Sequence, residues 1–544
     1  MDEKWFSLLK EPWIRVVTDD LQDKEVSLTD IFQHAHQYRR LAGETPAYDA
    51  AMIRFLLAIT ITVFYRYTAD GKEELLSADT HTPEDVLKRW DDYHKKGSFG
   101  PMFSDYLEKN AERFWLFHPK TPFYQVANLE FGTEYQIKAA LGTLKESNNE
   151  ATRHLFSMSE GENLKRIGPA EAARCMIFYN AYAVNVKQDR KPNCPGQPDP
   201  VSIGRMGKLG FIMADGDTLF ETLMLNLCAL RDGETIWGSP KPVWEAPVCV
   251  LQARKIEEPD NLPEIFTLLS RRMFLKWNKK MNGVTDIQVL GGDYYEYDNC
   301  FAEPMTIWKA VIDKKTKETL HITPNTHSSE KHLWREFSSI VSEKPHTPGL
   351  VRWLSLLCDS HKIDSETKLC IRSTGMAYQE TMKFNFADCF SDSVSLSMDI
   401  LGHLDDTWRN MICEEVQKCA EVESEIKDFT KKATEIIYGQ SKKTAGDKLV
   451  AGYYAELNEA FRQWLYSIEP ESDPNEKRTE WEKTAYAAAI AEVDAFMESL
   501  GNAAYRQRVI DKTKKAKPKS VFDLLGWYKY DVRKIYQKKK EETA

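Results

Sequence analysis

The residues of this chain whose types and spacing could do chemistry are basic side chains set among glycines, and aromatics that stand beside basic residues. Lys187, Arg190 and Lys191 lead into a Pro- and Gly-containing stretch that ends Ile203-Gly204-Arg205-Met206-Gly207-Lys208-Leu209-Gly210. Glycine lets a backbone come close to a phosphate or a groove edge, and amides freed in this way bind phosphate oxygens. The same residues would also make an ordinary long surface loop. A second stretch runs from Phe156 to Lys165-Arg166 and precedes a helix. An exposed phenylalanine there would stack on a base, an interaction of roughly 1–3 kcal/mol; otherwise Phe156 tucks into the core. The third is the C-terminal end. Between Tyr505 and Lys540 stand thirteen Lys or Arg against three Asp, so the segment either tracks a nucleic-acid backbone or forms a solvated helix face.

Enzyme chemistry finds no support. There is no Gly-x-Ser-x-Gly elbow, no His-Glu-x-x-His helix and no Gly-x-Gly-x-x-Gly fingerprint. Gly204 to Lys208 resembles the end of a phosphate-binding loop, but Leu209 stands where a magnesium-binding Ser or Thr is needed. The acidic Gly291–Asp298 stretch lacks the second carboxylate cluster that a metal nuclease requires. The ten cysteines include no Cys-x-x-Cys pair, and His321, His327 and His332 match no metal-helix spacing, so no metal and no cofactor are expected. The scattered thiols suit a reduced, cytoplasmic protein. Met1 to Trp5 does not begin a signal peptide, and the apolar run Phe55–Tyr65 is too short to span a bilayer, so no membrane is expected.

The elements that must position these residues follow from periodicity. With 544 residues, at least two domains are expected, since single cores stop growing near about 250–300 residues. Leu8 to Val17 reads as an opening strand and Pro46 to Tyr67 as a helix with proline in its first turn. A helix starts at Ile167. Arg271–Lys276 and Thr285–Leu290 read as neighbouring strands with Gly283 in the turn, and Leu369–Ser373 as another strand. Beyond residue 400 strand signals cease. Four helical segments follow at about 405–439, 446–468, 475–510 and 519–540, with Gly439, Pro470 to Pro474 and Pro518 between them. Leu449, Tyr453, Leu457, Phe461 and Leu465 form one apolar stripe; Trp481, Tyr486, Ala489, Val493 and Phe496 form another. The fold class is α+β: a large mixed α/β domain over 1–400, then a four-helix bundle over 401–544. A net charge of -10 does not suit a free nucleic-acid binder, which is usually basic; a local patch or basic partner subunits would have to supply the attraction.

Five strings stand out in order: Phe6-Ser-Leu-Leu-Lys-Glu-Pro-Trp-Ile-Arg15, Ser147-Asn-Asn-Glu-Ala-Thr-Arg-His-Leu-Phe156, Asp217 to Leu227, Glu303-Pro-Met-Thr-Ile-Trp308 and Phe390-Ser-Asp-Ser-Val-Ser-Leu396. Together they resemble the CasA family, the large subunit of the type I-E CRISPR surveillance complex called Cascade. The resemblance implies a non-catalytic subunit beside the 5′ handle of the CRISPR RNA. Such a subunit reads the protospacer-adjacent motif (PAM) of target double-stranded DNA from the minor groove and starts strand separation. It then helps to recruit a nuclease-helicase, alongside the other Cascade subunits, in the cytoplasm. Sequence beyond the PAM is read by RNA–DNA pairing.

Carried over position by position, the resemblance gives Phe156 the contact with the RNA handle, on a loop that runs to about Gly168. It puts a glycine-rich PAM loop between Tyr182 and Gly210. Ala183 to Lys191 holds no glycine, so that loop is altered or shifted toward Gly204, Arg205, Gly207 and Lys208. It makes Arg271 and Arg272 a basic finger for the minor groove, where arginine also senses width. Its strand-separating wedge follows Gly375-Met-Ala-Tyr378 and falls on Gln379 or near Met382; methionine also works as an apolar wedge. Some relatives hold zinc with paired cysteines, and this chain lacks those pairs. The competing reading is a structural scaffold whose bundle docks partner proteins with little DNA contact.

Overall fold

The computed structural model describes residues 4–137, 165–184, 203–247, 253–256, 259–295, 302–313, 316, 318–341, 347–378, 386–401, 406–441, 444–510 and 517–537. The chain divides into two units. The first comprises Met1–Lys331, Ser339–Ile363 and Leu369–Ser393, and the second His332–Ser338, Asp364–Lys368 and Val394–Ala544.

The first unit opens with a small antiparallel sheet. β1 (Ile14–Thr18) lies between β2 (Asp23–Val26) and β3 (Tyr38–Leu41), with Ile14 opposite Val26 and Val16 opposite Leu41. The expected strand over Leu8–Val17 is therefore shorter. Pro12 has no amide to give a ladder, and Trp13 turns its indole Nε1 back to the Leu8 carbonyl at 2.8 Å, fixing the corner. Next comes α1 (Pro46–Arg66), entered from the extended residue Thr45, with proline at the helix start. Every residue from Ala50 to Tyr65 is buried. The helix is long and apolar enough to cross a membrane, yet 94% of its most apolar window is buried inside the protein, which makes it a central core helix. Its one guanidinium inside the core, Arg54, pairs bidentately with Glu303 at 2.6 and 2.9 Å and lies over the Phe266 ring. The Glu303–Trp308 string thus supplies the counter-charge of the central helix.

Two further sheets position the candidate site. β4 (Thr133–Gln136), β6 (Arg271–Asn278) and β7 (Gly283–Gly291) form one, in the order β6-β7-β4, with Arg271 opposite Gly291 and Asp286 opposite Gln136. The turn residue with positive φ is Asn282 (φ 48), not Gly283. Gly283 begins β7, where a Cβ would press on Arg166 and the Ile167 carbonyl at 3.0 Å. The helix α2 (Pro169–Tyr182) is buried along most of its length. β5 (Phe211–Asp215), β8 (Lys368–Tyr378) and β9 (Phe386–Ser397) form the other sheet in the order β9-β8-β5, with Ile371 opposite Ala214. Asn226, in the Asp217–Leu227 string, ties β5 down by bonding both the amide and the carbonyl of Ala214 at 2.9 and 2.6 Å.

The second unit holds four long helices: α3 (Asp406–Tyr438), α4 (Asp447–Tyr466), α5 (Pro474–Leu500) and α6 (Val521–Gln537). The α4 stripe Leu449, Tyr453, Leu457, Phe461 and Leu465 is buried as expected. On α5 the buried line is Trp481, Ala485, Ala489, Val493 and Met497; Tyr486 and Phe496 flank it, against Tyr536 and Phe429. Phe429 of α3 also meets Tyr528 of α6, whose hydroxyl donates to the Ala489 carbonyl at 2.9 Å. A short 3-10 segment, Leu333–Glu336, contributes Trp334, stacked on Phe461 at 4.5 Å, and Arg335, set over Tyr454 at 3.4 Å.

Candidate nucleic-acid interface

Three of the stretches singled out in the sequence leave the described structure from a few neighbouring anchor residues. The 185–202 stretch starts after Val184 and returns at Ile203. Its ends are closed by the Gly204 amide, which donates to the Ala183 carbonyl at 2.8 Å. The 379–385 stretch starts after Tyr378, and the Tyr378 hydroxyl donates to the Tyr182 carbonyl at 2.9 Å, one residue before Ala183. Arg271 joins them: its guanidinium donates to the Val184 carbonyl at 3.2 Å and to the Ser270 carbonyl at 2.8 Å. The 3-10 turn Arg205–Lys208 packs into the same corner. A Cβ on Gly207 would overlap the Tyr378 hydroxyl, and one on Gly204 would overlap the Ala181 carbonyl. Those glycines therefore let backbone and tyrosine meet, whatever else they contact. Arg205 stands over the Tyr295 ring at 5.0 Å.

The 138–164 stretch is anchored nearby on β7. Gln136 pairs with Asp286 before it, and Ile167 bridges to Val284 after it, two residues nearer the start of the same strand. Arg166 fastens the return by donating to the Asn282 carbonyl at 2.7 Å. β7 is the ladder partner of β6, which begins with Arg271. Phe156, Lys187, Arg190, Lys191, Gln379 and Met382 all lie outside the described residues, as does the Ser147–Phe156 string. Gly204, Arg205, Gly207, Lys208, Arg271 and Arg272 lie within them.

Arg271 and Arg272, expected as a basic finger, lie inside the framework at the start of β6: Arg271 is 3% exposed and Arg272 is 2% exposed. Arg272 forms an ion pair with Asp293 and donates to the Leu269 carbonyl at 3.0 Å. Asp293 is held from its other side by the amide and guanidinium of Arg254 at 2.7 and 2.9 Å. This closed carboxylate offers nothing to a metal, and among the described residues no His, Cys, Asp and Glu form a metal-sized cluster. Burial pulls the Arg271 guanidinium down to about 10, still charged at neutral pH, against the opposing pull of the nearby Tyr179, Tyr378 and Tyr135. Both guanidinium groups are engaged by protein acceptors, Arg271 at the Val184 and Ser270 carbonyls and Arg272 at Asp293 and the Leu269 carbonyl. Periodicity could not reveal this, because a strand that begins Arg-Arg reads as exposed until its sheet and helix partners are known. The tyrosines of this joint, Tyr182 and Tyr378, carry no motif of their own; their one signal in the sequence is that each stands close to a stretch singled out for its chemistry.

The family model for CRISPR-associated protein Cse1 matches residues 7–491. A CasA/Cse1 protein of Thermus thermophilus is 30% identical over 243 residues, which are 44% of this chain and 42% of that relative, so this match spans less than half the relative's length. Among solved structures, Thermobifida fusca Cse1 superposes with a TM-score of 0.79 at 22% identity, covering 98% of each chain. Cse1 of Acidimicrobium ferrooxidans gives 0.75 at 19% identity, covering 98% of this chain and 100% of that one. A chain of a CRISPR RNA-guided surveillance complex gives 0.69 at 16% identity, covering 98% and 100%. These likenesses establish the fold. With the family model matched over most of its length, the chain belongs to the Cse1 (CasA) family of CRISPR-associated proteins.

Proposed function

We propose that this protein is the non-catalytic large subunit of a type I-E Cascade, reading the PAM of target double-stranded DNA and promoting strand separation. In this reading Phe156 meets the 5′ handle of the CRISPR RNA. Lys187, Arg190 and Lys191 approach the PAM with Gly204 to Lys208 at their base. Gln379 or Met382 enters the first base pair. The complex then recruits a nuclease-helicase, and the whole acts in the cytoplasm. The observation that carries the proposal is the shared anchorage: two chemically suited stretches, 185–202 and 379–385, leave from carbonyls and hydroxyls of Tyr182, Ala183, Val184 and Tyr378. Two stretches that start beside one another, one after Val184 and one after the Tyr378 bonded to Tyr182, would act on adjacent base pairs, as PAM reading followed by strand opening demands.

The test is a pull-down of the tagged chain, co-expressed with its neighbours, followed by sequencing of the bound RNA. Repeat-derived CRISPR RNA together with several smaller subunits is the expected result. A lone, RNA-free chain recovered at low salt contradicts the proposal.

A further inference from the structure

The exposed face of α6 is unlike that of an ordinary surface helix. An amphipathic helix normally turns charged and small polar groups to water. α6 turns out Phe522 (44% exposed), Trp527 (47%) and Tyr530 (66%), together with Arg533 and Lys534. At 3.6 residues per turn, Phe522, Arg533, Gly526, Tyr530, Asp523, Lys534 and Trp527 fall within an arc of about 140°, with Asp523 the one acid among them. The opposite side, Val521, Leu524, Tyr528 and Val532, is the buried one. Beside Phe522 stands Tyr505, 70% exposed, its ring 4.9 Å from the Phe522 ring. Lys519 lies over the Trp527 ring at 3.6 Å. Arg506 and Arg508 anchor this corner on the last turn of α3, donating to the Ile437 and Glu435 carbonyls at 2.9 Å each. Among the described residues from Tyr505 onward, seven Lys or Arg (506, 508, 517, 519, 529, 533, 534) face two Asp (523, 531). The Asp523 carboxylate accepts the amide and hydroxyl of Ser520, and Lys529 pairs with Asp494.

We propose that this face binds single-stranded nucleic acid, with bases stacking on Tyr530 and Tyr505 and phosphates held by Arg533 and Lys534. Exposed π-faces interleaved with cations match a polyanion whose bases are open to stacking. A duplex hides those faces in its own stack. The aromatics and Arg533 would also suit a protein interface, but Lys519 and Lys534 beside them would not, lysine being depleted there, and the excess of cations favours a polyanion. The inference stands on the second unit alone and does not depend on the PAM reading.

The test uses the full chain, with fluorescent mixed-sequence oligonucleotides as probes: one deoxy strand, one ribo strand of the same sequence, and the deoxy duplex. Single strands should bind more tightly than the duplex. Tyr530→Ala should weaken them about ten-fold, the loss of one stacked base, while Tyr530→Phe retains binding. Arg533→Ala with Lys534→Ala should lower the slope of log affinity against log salt by about 1.4, at about 0.7 per neutralised phosphate. Whichever single strand binds more tightly names the source, and either supports the proposal. Both tyrosines lie outside the core, so unchanged melting of the variants shows that folding is intact. Equal binding of wild type and Tyr530→Ala, or of duplex and single strand, overturns the proposal. So does poly-glutamate binding that is lost in Tyr530→Ala when no single strand binds, which would assign the face to an acidic protein segment.

Discussion

Arg54 and Glu303 are both inside the core, and neither could remain there alone. A carboxylate stripped of its partner in a dry interior costs far more than the pair itself contributes. Arg54→Ala should therefore destabilise the first unit by about 3–5 kcal/mol, read as a shift of the urea midpoint. Replacing both partners with apolar residues, Arg54→Met with Glu303→Leu, should restore most of that loss. A loss below about 1 kcal/mol for Arg54→Ala, the size of an exposed pair, would contradict the burial argument. Asp49 offers a second check. It lines a cavity of about 390 Å³ with Arg15, Arg40 and Arg372, and accepts the Gly43 amide at 2.8 Å. Burial, aided by the Glu44 charge, pushes its carboxyl up to about 6, against the pull of the Gly43 amide, Arg372 and Arg40. The folded pKa lies above the unfolded value of about 3.9, so the folded state holds the extra proton between them. That contribution to stability is complete below the unfolded pKa and is lost as pH rises through about 4 to 6. Asp49→Asn should remove this part of the fall; identical pH profiles for the two proteins would refute the assignment. At this scale the sequence was least legible. Arg271, Arg272 and Arg54 are all arginines, and nothing local separates a buried arginine from a groove-reading one.

Elements were easier to read, and their joints were not. α1 and the four helices of the second unit follow from proline entries, apolar stripes and glycine or proline breaks, all of which are local signals. Trp334 was not legible: it lies in a short polar segment far from α4 in sequence, yet it stacks on Phe461. The joint beneath the 185–202 and 379–385 stretches was equally hidden, because it links Tyr182, Gly204 and Tyr378 across long separations. It can be tested by coupling. Gly207→Ala should displace the Tyr378 hydroxyl and cost about 1–3 kcal/mol, as overpacking does. Tyr378→Phe should cost about 0.5–1.5 kcal/mol, a lost hydrogen bond. Both act through one hydroxyl, so the double variant should lose clearly less than the sum. Additive losses would show that the turn and the strand end are not coupled.

For the whole molecule, the central fact is a division of labour under an acidic net charge of -10. The strings that carry the family resemblance and lie within the described residues are framework. Trp13 turns a corner, Asn226 ties a strand, Glu303 neutralises the central helix, and Phe390 lies against Gly375. The residues proposed to touch nucleic acid stand between those strings in the sequence, next to the joint formed by Tyr182, Gly204 and Tyr378. Family was therefore legible from order and spacing, while the contact residues were legible only as chemistry without a place. The most direct measurement is the affinity of the assembled complex for duplexes that carry the PAM or a scrambled one. It compares the wild-type chain with a Lys187→Ala, Arg190→Ala, Lys191→Ala variant and with a Gln379→Ala, Met382→Ala variant. The account predicts that the first variant loses most of the PAM preference. It predicts that the second keeps PAM-dependent encounter but fails to open the adjacent base pairs. A PAM preference unchanged in both variants would contradict it.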